Sequence, residues 1–164
     1  MRQFLLIACL AFGTAAGAVP PDSEIHRIME ERVQTIAGPE GAMGIHAPNF
    51  SMIADQELDP LQPEALLYVP TPDGGRKLVG VEYVQIALVR NPETNEVGPW
   101  LSQDPWPASY EVVTATPRLF GQSFQGPMPG HTEAMGWHWD LHAWIWAHNP
   151  SGMFAPWNPA LECP

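Results

Sequence analysis

Residues 131–146 read HTEAMGWHWDLHAWIW, and the way this stretch folds decides how the chain folds. In a strand, successive side chains alternate, so Trp137, Trp139, Leu141, Ala143 and Ile145 share one face, wholly apolar and in need of a core. The opposite face carries His138, Asp140 and His142, then Trp144 and Trp146. In a helix, His138 and His142 stand at i and i+4 on one face, the spacing that grips a single ion. The run of Trp, His, Trp, Leu, Trp, Ile and Trp favours strand, and Asn149-Pro150 stops either element. In strand form the Cα atoms of His138 and His142 lie about 13 Å apart. Either a bulge then brings both to one ion, or one ligates and the other supports it from behind.

Upstream, Leu66–Val69 and Arg76–Leu88 read as strands joined by Pro70-Thr71-Pro72-Asp73-Gly74-Gly75, strong turn chemistry, so a hairpin is expected. In the second strand Glu82 is the only carboxylate on a face that also holds Leu78, Val84, Ile86 and Leu88. A buried carboxylate needs a metal, an Arg, a His or water beside it. Alternatively the strand is an edge and Glu82 reaches solvent.

Further out, Ile25, Ile28, Met29, Val33 and Ile36 recur at three- and four-residue spacing, which predicts an amphipathic helix over Pro21–Ala37. Gly38–Phe50 reads as a glycine-bearing loop holding Met43 and His46, and 51–63 as a helical turn and loop. Arg90–Ser109 reads as a long loop pinned by Trp100 and Trp106, Tyr110–Ala115 as a strand, and 117–130 as irregular, delivering His131 and Glu133 to the central strand. The expected fold is α+β: an N-terminal helix packed on a small, mainly antiparallel sheet with long Pro/Gly-rich loops. The chain length suits one domain, residues 19–164.

Residues 1–18 have the pattern of a secretory signal: Arg2, an apolar run from Phe4 to Phe12, and Ala16-Gly17-Ala18 for cleavage. Leu6-Ile7-Ala8-Cys9 is the rival, a lipoprotein-type box. The expected location is secreted or periplasmic, with no integral membrane segment after cleavage. The formal charge of −11 argues against nucleic acid or an anionic membrane as partner. Loss of the leader would leave Cys163 as the lone cysteine, without an internal disulfide partner.

The chemistry-bearing residues are histidines and carboxylates. His46, Glu82, His131, His138 and His142 are the candidate metal ligands, and Asp140 orients a histidine or acts as base. Such a set suits a divalent transition ion, Zn, Cu, Fe or Mn. No HExxH, GxSxG, P-loop or GxGxxG pattern is present. Two other readings compete with a metal-dependent enzyme. One is a non-catalytic binding module for a glycan or small aromatic ligand, with Trp144 and Trp146 as platform. The other is a structural surface protein with a metal-free His/carboxylate network.

GAMGIH, LLYVP, KLVGVEYV, LFGQSFQGPMPGH, MGWHWDLHAWIWAHNPSGMFAPWNP and the near-terminal Cys163 resemble the motifs of a family of small exported microbial proteins, which look like GMGYH, LVGVEY, FxGPMxGHxxxMxxHYDLHxWxW and NPxGMFxxWNP. The likeness covers most of residues 41–164. It implies that His46, Glu82, His131, His138, Asp140 and His142 form one motif set, and it implies no reaction. A cysteine that such relatives place just before the GMGYH-like segment is missing at Ala37–Glu40, and the Arg90–Ser109 loop has no counterpart.

Overall fold

A computed structural model describes residues 34–38, 41–131 and 135–161. The leader at 1–18, His26, Glu133 and Cys163 lie outside them. The strands are β1 (Gln34–Gly38), β2 (Gly41–Pro48), β3 (Ala65–Pro70), β4 (Arg76–Ile86), β5 (Leu88–Arg90), β6 (Val97–Pro99), β7 (Glu111–Val112), β8 (Arg118–Leu119), β9 (Gln122–Ser123), β10 (Gln125–Met128) and β11 (His138–Ala143). Among the described residues one short helix, α1 (Phe50–Asp55), joins them.

The fold is mostly β, which overturns the α+β expectation and its N-terminal helix. Residues 21–33 lie outside the described range, and 34–38 are β1, antiparallel to β2. The stretch Val33-Gln34-Thr35-Ile36 is rich in β-branched residues, which suit a pleated strand better than a helix. Among the described residues α1 is the longest helix, at six residues, so none is long and apolar enough to cross a membrane.

The loop expected over Gly38–Phe50 is also corrected, because most of it is β2. Its glycines mark close approach of other backbone. Gly41 has φ +118°, and a Cβ there would come within 2.4 Å of the Asn158 carbonyl oxygen. Gly44 has φ +84°, with the Tyr68 carbonyl oxygen 3.0 Å from the same point.

The chain forms two compact units, and β4 and β11 run on from one into the other. The first unit comprises the described residues up to Asn49, Ala65–Glu82 and those from His142. In it β1, β2, β3 and β4 lie side by side in that order, followed by the end of β11. The expected hairpin is present: β3 pairs antiparallel with β4 from Ala65↔Glu82 to Pro70↔Arg76. Leu67, Val79 and Trp144 form its buried cluster, with Val69, Ala147 and Leu161 packed against them. The tail closes on β2, where Ala42 and Asn158 exchange backbone hydrogen bonds of 3.2 and 3.0 Å.

The second unit comprises Phe50–Glu64 and Tyr83–Leu141. It holds α1, the three-stranded sheet β6-β5-β7 and the β8-β9 ribbon, so two segments expected to be loops carry short strands. In it β10 pairs antiparallel with the start of β11. Ile53, Tyr83, Val84, Ala87, Val89 and Phe124 are buried there.

Candidate metal centres

β11 is a strand, as its residue types favour, and every residue in it is buried. His138 and Asp140 are 0% exposed and His142 1%, while Trp139 and Leu141 are each 2% exposed. Both faces of the strand are therefore covered. The alternation that sends odd-numbered residues into apolar core puts three polar groups on the opposite face, which is buried as well. Beyond the strand the pattern lapses, and Ile145 and Trp146 are exposed.

In the first unit His142 meets His46 of β2 and Glu82 of β4. His46 Nε2 is 3.6 Å from Glu82 Oε2, and His142 Nε2 is 3.9 Å from Glu82 Oε1. The two imidazoles lie edge to face, with ring centroids 5.7 Å apart. One ligand atom from each of the three residues falls within 4.8 Å of the others. Register explains the meeting. His46 pairs with Leu67 and Glu82 with Ala65, two positions apart on β3, so both face the same side of the sheet. Gly80, two residues before Glu82, allows the other approach: a Cβ there would sit 2.7 Å from the Ala143 carbonyl oxygen, so β11 can lie close to β4 only with glycine. Behind His142, Trp144 stacks at 6.0 Å and 22° and donates its indole N–H to the Ala155 carbonyl oxygen. Because β4 has β3 and β11 on its two sides, Glu82 is on an inner strand and is 3% exposed. The edge-strand reading of Glu82 is thus excluded.

In the second unit His131, His138 and Asp140 converge, again with one ligand atom each within 4.8 Å of the others. The His131 and His138 rings are 5.2 Å apart at 65°. His138 is pushed down to about 3, chiefly by burial, with His131 adding to the shift and the Gly136 backbone opposing it. His131 is lowered as well, by burial alone. Both imidazoles are therefore held in the neutral form, the one that offers a lone pair to a metal. The six candidate residues thus form two groups of two histidines and one carboxylate. Asp140 and His142, neighbours in sequence, belong to different groups.

Two further outcomes concern residues outside these groups. Trp144 is buried, so Trp144 and Trp146 do not form the exposed platform expected for a glycan or aromatic ligand. Glu64, singled out by no motif, is 1% exposed and accepts a hydrogen bond from the Val84 N–H at 3.1 Å. Burial pushes its carboxyl up to about 7, with Asp55 and Asp59 adding to the shift and the backbone N–H groups of Val84 and Glu64 opposing it. Its sequence signal is slight: a glutamate immediately before the apolar run ALLYV. No protein-family model, curated protein or solved structure matches this chain.

Proposed function

We propose that this chain is an exported protein that binds a divalent transition ion through His46, Glu82 and His142. The observation that carries the reading is the convergence of these three side chains from three strands, each 6% exposed or less, with ligand atoms within 4.8 Å of one another. The His–Glu separations of 3.6 and 3.9 Å lie beyond hydrogen-bond range. They are close to the roughly 3.4 Å that ligand atoms about 2.1 Å from a tetrahedral ion keep between them. A divalent ion would place positive charge beside the buried Glu82 carboxylate and accept the lone pairs of both imidazoles. Three protein ligands leave coordination positions for water or a small ligand, the arrangement that metal-dependent hydrolases and oxidases use. Export rests on the leader pattern at residues 1–18.

The test is metal content. Protein stripped with a chelator is offered Zn, Cu, Mn and Fe in turn, alongside Glu82→Gln and His142→Ala. The expected result is near-stoichiometric metal in the wild type and a clear loss in both variants. Wild-type protein that stays metal-free would leave the residues as a His/carboxylate network.

A further inference from the structure

The second unit contains a group of the same composition that the proposed function does not use. We propose that His131, His138 and Asp140 form a second, independent site for a divalent transition ion, filled whether or not the first is. His138 and Asp140 are alternate residues of β11, so both side chains leave the same face of the strand. His131 comes from the preceding segment and places its ring 5.2 Å from that of His138. Nitrogen and oxygen ligand atoms from all three fall within 4.8 Å of one another. His138 and Asp140 are both 0% exposed, and His131 is half-buried.

The neighbouring strand is shaped around this group. Gly126 on β10 has φ +118°, and a Cβ there would stand 2.7 Å from the His138 carbonyl oxygen. Register sets Gln125 of β10 opposite Asp140 and Met128 opposite His138, on the same face as the donors. Two imidazoles and a carboxylate form a donor set suited to Zn²⁺. His142 is four residues from His138, about 13 Å along a strand, so it does not complete this group.

The probe is Zn²⁺ titrated into chelator-stripped full-length protein by calorimetry, with bound metal counted after gel filtration and folding checked by circular dichroism. Asp140→Asn keeps the buried shape and His131→Ala changes only the half-buried member, so the test does not depend on His138→Ala folding. The expected stoichiometry is two Zn²⁺ per wild-type chain, and one in Asp140→Asn, His131→Ala and Glu82→Gln alike. One Zn²⁺ in the wild type, kept by Asp140→Asn and His131→Ala but lost in Glu82→Gln, would overturn this site and leave the first standing. One Zn²⁺ lost in Asp140→Asn and His131→Ala but kept by Glu82→Gln would establish this site and overturn the first. Two Zn²⁺ retained by both second-unit variants would also overturn the proposal.

Discussion

Two buried glutamates, Glu64 and Glu82, sit in unlike surroundings. Glu82 faces two histidines, so Glu82→Gln, nearly equal in size, should leave the fold in place yet lower affinity at the first group at least tenfold, read by competition with a chromogenic chelator. Unchanged affinity would remove Glu82 from the ligand set. Glu64 faces a backbone N–H and two nearby aspartates, and its carboxyl is pushed from 4.5 up to about 7. As pH rises across that window the unfolded glutamate ionises while the folded one keeps its proton. Folded stability therefore falls through the window, and above it the cost is complete. At about 1.36 kcal/mol per unit the cost is on the order of 3 kcal/mol at most. Glu64→Gln should flatten the fall in Tm between about pH 5 and pH 7 and exceed the wild type at about pH 8. Parallel Tm curves for the two proteins would refute this role. Glu82 was legible in the sequence because strand parity set it among apolar neighbours. Glu64 was not, because its burial depends on where the Val84 N–H lies, and that is a matter of register between distant segments.

At the level of strands, glycine controls how closely partners approach. Gly80→Ala would push the Ala143 backbone away from β4 and draw His142 back from Glu82. The expected cost is about 1–3 kcal/mol, typical of overpacking, with weaker metal binding at the first group and none of that weakening at the second. Gly126→Ala, which crowds the His138 carbonyl oxygen, should show the reverse pattern. Thermal melts and site-resolved metal counts on the two variants check both expectations, and equal effects on both groups would contradict them. The sequence led to the correct element at β11 and at the β3–β4 hairpin, where alternation and turn residues agree. It misled at residues 34–38, where Ile36 served a three-and-four spacing as well as an alternating one. It misled again at β2, whose Gly41 and Gly44 read as loop signals because the Asn158 and Tyr68 backbones they admit are remote in the chain.

For the whole molecule, ion binding should appear as stability. A ligand taken up only by the folded form adds about 2.7 kcal/mol at a hundredfold excess over its Kd, so Tm of the stripped protein should climb several degrees with Zn²⁺ and return with chelator. A Tm indifferent to both would count against both groups. That two groups of donors exist, rather than one centred on residues 138–142, was beyond the sequence. Spacing showed that His138 and His142 were ill-placed to share an ion, but only strand order brought His46 and Glu82 to one of them. That division makes the gene's tolerance uneven. A point change at a donor position in β11 touches one group. A single codon gained or lost between His138 and His142 reverses the facing of every residue beyond it, so His142 and His138 can no longer both meet their companions. Length variation in this coding sequence should therefore collect in stretches such as 91–96 and 101–109 and spare the five codons from His138 to His142.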